Sequence, residues 1–68
     1  MNNKLRAMRL LKNMTQQELA ESSGISRTSV SLIETGAIEP KIITVKKLAH
    51  ALDINWKSLL DESDLTKF

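Results

Sequence analysis

The chain has 68 residues, 41% of them hydrophobic and 26% charged, with no Cys. This leaves room for one small globular domain over residues 1–68 and excludes a disulfide scaffold, a thiolate metal site and a disordered chain. The net charge of +2 is too small to predict a polyanionic partner, but residues 1–30 set Lys4, Arg6, Arg9, Lys12 and Arg27 against only Glu18 and Glu21, whereas Asp61, Glu62 and Asp64 bunch near the other end.

Apolar residues recur at spacings of three and four and no stretch alternates as a strand would, so the chain is expected to be all-α. A first helix is predicted over residues 3–12, with Leu5, Met8 and Leu11 or Lys12 on one face. Asn13 tolerates the left-handed conformation that ends a helix. Thr15 followed by Glu18 forms a capping box that starts helix two, and Gly24 stops it after Ser23. Ser26 caps a third helix running to Thr35, with Gly36 as the next left-handed stop. Pro40 assigns residues 36–41 to a loop. Helix four carries Val45, Leu48, Ala49 and Leu52, although the β-branched run Ile42-Ile43-Thr44-Val45 blurs its start. Asn55 caps a short fifth helix holding Leu59 and Leu60, and residues 61–68 are expected to fray.

Helices two and three, joined at Ser23-Gly24-Ile25, form a compact angled pair. Counted from Gln16, Ala20 is fifth, Gly24 ninth, Ile25 tenth, Val30 fifteenth and Ile33 eighteenth. Ala20 lets the helices cross closely, Gly24 permits the turn, and the three branched residues fill the angle between them. With Thr15-Gln16-Gln17-Glu18-Leu19-Ala20, Ile33-Glu34-Thr35-Gly36 and Leu48-Ala49-His50-Ala51-Leu52, this pattern resembles the phage-repressor or Xre-type helix-turn-helix over residues 4–60. The resemblance implies a five-helix lambda-repressor-like domain, with the helix-turn-helix at about 15–35, that binds operator DNA through the major groove, usually as a two-fold dimer.

A projection of helix three at 100° per residue places Arg27, Thr28, Ser31 and Leu32 within an arc of about 140°, opposed to Val30 and Ile33. In similar proteins that face reads base edges. Arg27 can donate to guanine O6 and N7, Gln16 can pair with adenine N6 and N7, and Thr28 or Ser31 can serve either kind of base. A solvated arginine at a helix start remains the alternative for Arg27, and an ordinary exposed first-turn residue for Gln16. Leu32 stands where similar sequences favour a polar residue, and either meets thymine methyl groups or tilts under the domain to join the edge of the core. Ser29 stands where a larger residue is frequent. Phosphate anchoring is expected at the start of helix two beside Thr15, and from Thr35 and Lys41, with Lys4 and Arg6 as distant charge. Similar proteins pair Arg9 with Glu34 across helices one and three; the alternative is an exposed pair contributing little.

Two reading helices must sit about 34 Å apart to enter successive major grooves, which calls for a self-complementary patch. Trp56 is the candidate anchor, with Ile38 joining it in one exposed patch; alternatively Trp56 folds back onto its own helix. Catalysis finds little support. The only His, His50, falls on the face of helix four opposite the apolar one, without a Cys or second His to complete a metal site. No cofactor or metal is expected. The start Met1-Asn2-Asn3-Lys4 lacks a signal peptide's apolar stretch, and no apolar run approaches the ~18 residues that a bilayer requires, so no membrane partner and a cytoplasmic location are expected. A helical protein-interaction module is the reading from another class. Among regulators, phage repressor, antitoxin and restriction-system controller are not distinguished by these residues.

Overall fold

The computed structural model describes residues 4–60, so the expected fraying of 61–68 lies outside the described residues. Four α-helices, α1 (Lys4–Leu11), α2 (Gln16–Ser23), α3 (Arg27–Glu34) and α4 (Ile42–Ala51), are followed by a 3-10 turn at Trp56–Leu59. The expected count of five helices is corrected to four and one turn. Asn55 Oδ1 accepts from Lys57 N at 3.0 Å, and Ser58 N and Leu60 N donate three residues back, to Asn55 O and Lys57 O. With Leu60 already extended at ψ 147, the segment ends before a bond four residues back can form.

Local chemistry sets the helix boundaries. Thr15 Oγ1 accepts from Glu18 N at 3.0 Å while Glu18 Oε1 accepts from Thr15 N at 2.9 Å, completing the capping box. Ser26 caps α3 by accepting from Ser29 N at 3.1 Å. Three helices stop in one manner. Asn13, Gly36 and Asp53 take φ of 57, 80 and 56. In each case the following residue donates five residues back, from Met14 to Arg9, Ala37 to Leu32 and Ile54 to Ala49, as in a Schellman stop. The β-branched run does not delay α4, which begins at Ile42 with Ile42 packed on the core and Ile43 facing out.

The core collects Leu5 from α1, Leu19 and Ala20 from α2, Val30 and Ile33 from α3, and Val45, Leu48 and Ala49 from α4, closed by Leu52, Leu59 and Leu60. Leu11 is corrected: it is 73% exposed, and the inward stripe of α1 is Leu5, Met8 and Arg9. A position six residues from Leu5 does not return to the same face, because six residues advance the projection by about 600°, roughly 120° short of two whole turns. Met8 and Met14 pack against the core and His50 is exposed. Packing of α2 against both α3 and α4 holds the helix pair at its angle, and α1 lies across α3 and the 3-10 turn. Lys4 Nζ donates to Leu60 O at 2.7 Å, joining the first described residue to the last. Among the described residues no helix is long and apolar enough to cross a membrane.

Candidate nucleic-acid interface

Burial divides α3 along its length. Val30, Ile33 and Glu34 are buried, Ser31 is half-buried, and Arg27, Thr28 and Leu32 are exposed. Arg27, Thr28, Ser31 and Leu32 line one shallow hollow together with Gln16 from the start of α2, so all five candidate base readers meet on one surface. Leu32, 38% exposed, is absent from the core and from the residues packed against it, which removes the reading that it tilts under the domain. Ser29 turns aside, half-buried, and shares a hydrogen bond of 2.9 Å with Ser26 through their hydroxyls.

A second hollow begins where the first ends and is lined by Arg6, Arg9, Gln16, Glu34 and Thr35. Arg9 and Glu34 are both buried, so the alternative of an exposed pair is corrected. Arg9 Nε donates to Glu34 Oε2 at 2.7 Å and Nη2 to Oε1 at 3.1 Å, while Nη1 donates to Met14 O at 2.7 Å. The hydrogen bond to Glu34 raises the pKa of Arg9 above the ordinary arginine value; burial opposes the shift and Coulombic attraction to Glu34 adds to it. Gln16 Nε2 completes the cluster by donating to Glu34 Oε1 at 3.2 Å. Sequence reasoning missed this third member because the bond depends on how α2 and α3 cross.

Arg6 and Thr35 both line the second hollow. The position of Arg6 three residues before Arg9 was the available signal, since residues three apart share a helix face. Thr35 follows α3, and its hydroxyl donates to Leu32 O at 3.1 Å. Lys41 caps α4 without a side-chain hydrogen bond and lines a separate groove with Ser26, Ser29 and Ile38. The phosphate candidates therefore bracket α3, with Lys41 beside its first turn and Thr35 beyond its last.

Ile38 is 40% exposed and Trp56 is half-buried. They line different hollows with no residue in common. Trp56 packs partly on the core, with Lys46 Nζ 5.2 Å and Lys57 Nζ 5.9 Å from its ring centre.

Comparison with known proteins now decides the class, because the helix-turn-helix family profile matches residues 5–59. The chain belongs to the helix-turn-helix family. It is of the Xre type, a family of DNA-binding transcription regulators rather than enzymes. It is 41% identical over 64 residues to an uncharacterized HTH-type transcriptional regulator of Methanocaldococcus jannaschii, covering 94% of this chain and 97% of that one. Against the HTH-type transcriptional repressor RghR of Bacillus subtilis it is 44% identical over 57 residues, which cover 82% of this chain and 42% of the repressor. The immunity repressor protein of Bacillus phage phi105 is 31% identical over 64 residues, covering 94% and 44% of the two chains. This helix-turn-helix chain therefore spans less than half of either named repressor. Among solved structures it is similar to the restriction-modification controller protein C.AhdI from Aeromonas hydrophila, with a TM-score of 0.83, 36% identity, and coverage of 85% of this chain and 88% of that one.

Proposed function

We propose that residues 1–68 act as one repressor domain in the cytoplasm, binding a palindromic operator in double-stranded DNA as a homodimer with α3 in the major groove. The observation that carries the reading is the convergence of Gln16, Arg27, Thr28, Ser31 and Leu32 on one hollow while Val30 and Ile33 anchor the reverse of the same helix in the core. Arg27 reads guanine through O6 and N7, Thr28 and Ser31 bond to base edges, and Leu32 meets thymine methyl groups. Phosphates are met by Thr15, Thr35 and Lys41, joined by Arg6. The Thr15 hydroxyl oxygen accepts from Glu18 N, so its own proton is available to a phosphate oxygen. Thr35 must first release the Leu32 carbonyl. Similarity to the two repressors and to the controller protein supports transcription control without choosing among a phage, an antitoxin or a restriction-controller setting.

In this reading Trp56 anchors the dimer interface, with Ile38 as a further contact. Trp56→Ala is expected to leave the monomer folded, shift the equilibrium toward monomer, and weaken binding to a full operator far more than to a half-site. An unchanged dimerisation constant in sedimentation equilibrium excludes Trp56 from the interface.

Exposure of Leu32 favours the second reading, a protein-interaction module. Selection from random duplex DNA separates the two. The repressor reading expects an enriched palindrome whose affinity falls as salt rises. Failure to enrich any motif at moderate salt, together with no salt-sensitive binding, overturns it.

A further inference from the structure

Glu34 does more than pair with Arg9. Its Oε1 accepts from both Arg9 Nη2 and Gln16 Nε2, at 3.1 and 3.2 Å, while Oε2 accepts from Arg9 Nε at 2.7 Å. A carboxylate whose two oxygens accept from an arginine fork offers only acceptors, so the edge of the Gln16 amide turned toward it must be the NH2 group. Rotation by half a turn would set the amide oxygen against the carboxylate, and that arrangement is repulsive. The backbone of Gln16 is held as well. It follows the cap Thr15, and Arg9 Nη1 grips the carbonyl of Met14 just before that cap. The amide is therefore fixed at both ends, with Oε1 and its second N–H left over. Among the described residues no donor is paired with Gln16 Oε1, and the residue lines the hollow it shares with Arg27, Thr28 and Ser31.

We propose that Gln16 reads one adenine in each half-site through this preset amide, with Oε1 accepting from the 6-amino group and the second N–H donating to N7. Glu34 acts as a positioning residue that prevents the amide from turning over. Guanine presents two acceptors, O6 and N7, on the same edge. An amide free to rotate could offer its NH2 group to guanine, whereas one tethered by Glu34 meets guanine O6 with its own oxygen. A buried acidic residue that never touches DNA would thus set the choice between two purines. A phosphate contact is the competing role for Gln16; it needs only an N–H, leaves Oε1 unused, and carries no base preference.

The inference rests on the DNA reading proposed above, and the experiment begins from the operator selected there. Each half-site adenine is replaced in turn by purine, which lacks the 6-amino group, by 7-deazaadenine, or by guanine, and binding is measured for the unsubstituted protein, Gln16→Met and Glu34→Leu. At one adenine the substitutions are expected to weaken the unsubstituted protein about 5- to 100-fold. Gln16→Met is expected to be indifferent to all three there, and Glu34→Leu to lose most of its preference for adenine over guanine at that base pair alone. A merely structural Glu34 would weaken every position alike. Should Glu34→Leu fail to fold, Arg9→Leu combined with Glu34→Leu removes the same acceptor while leaving an apolar pair that is compatible with folding. Equal sensitivity of the unsubstituted protein and Gln16→Met at every adenine overturns the proposal, as does a uniform loss across all sequences in Gln16→Met. Preserved discrimination after removal of the Glu34 carboxylate overturns the positioning role. If no operator is selected, the DNA reading itself falls, an outcome distinct from these three.

Discussion

Arg9 and Arg27 have the same side chain in opposite settings. Arg9 is buried, and its Nε, Nη1 and Nη2 donate to Glu34 and to the Met14 carbonyl. Arg27 is exposed at the first position of α3 and, among the described residues, has no hydrogen-bond or ion-pair partner. Placement there is locally unfavourable, since a cation opposes the positive end of the helix dipole. A guanidinium committed within the fold contributes rigidity, while one left uncommitted keeps its donors for a partner outside. On the DNA reading proposed above, stability of the helix-turn-helix would rest on one arginine and selectivity on the other.

Three substitutions test that division. Arg9→Ala is expected to cost about 3 to 5 kcal/mol by stranding the Glu34 carboxylate in a buried site, which could unfold a domain whose total stability is of order 5 kcal/mol. Urea denaturation measures this loss, and a change below about 1 kcal/mol would show that the pair is solvated in solution. The pKa of Arg9 is raised. Its contribution is therefore fully present below the ordinary arginine range and is lost only as pH climbs above that range, so the cost should be the same at about pH 6 and about pH 9.

The opposite signature is expected of Arg27→Ala. Specific binding weakens by about 1 to 3 kcal/mol and preference relaxes at one base pair of each half-site, while thermal stability stays within about 0.5 kcal/mol. Equal losses on operator and random duplex would move Arg27 from reading to general attraction. The smallest effect belongs to Thr15→Ala, which removes one half of the capping box and should cost about 1 kcal/mol. Loss of DNA affinity beyond that explained by unfolding would indicate that the Thr15 hydroxyl also contacts phosphate.

Legibility followed the range over which each feature is determined. The Thr15–Glu18 box, the Ser26 cap and the stops at Asn13, Gly24 and Gly36 depend on residues within a few positions of one another, and each was readable in the sequence. Asp53 forms the same kind of stop, but aspartate marks a left-handed position less distinctly than glycine. The register of α1 misled because five of its eight residues, Leu5, Ala7, Met8, Leu10 and Leu11, are apolar and surround the helix, which left Leu11 unresolved. The outward face of α3 was legible from angular projection, since the core claims Val30 and Ile33. The Gln16–Glu34 bond spans 18 residues and Lys4–Leu60 spans 56. Both are set by how the helices cross, which one sequence does not disclose.

The Lys4–Leu60 contact also bears on the architecture of larger proteins. It brings the two ends of the helical unit within the reach of one lysine side chain, and units with neighbouring ends are tolerant of insertion and circular permutation. Residues 4 and 60 could be bridged by a peptide of a few residues and the chain reopened in the loop before Pro40, with α2, α3 and the Arg9–Glu34 clamp left uninterrupted. The same closeness lets a single attachment point on a host protein carry the whole reading surface, because both connections would leave from one side of the domain.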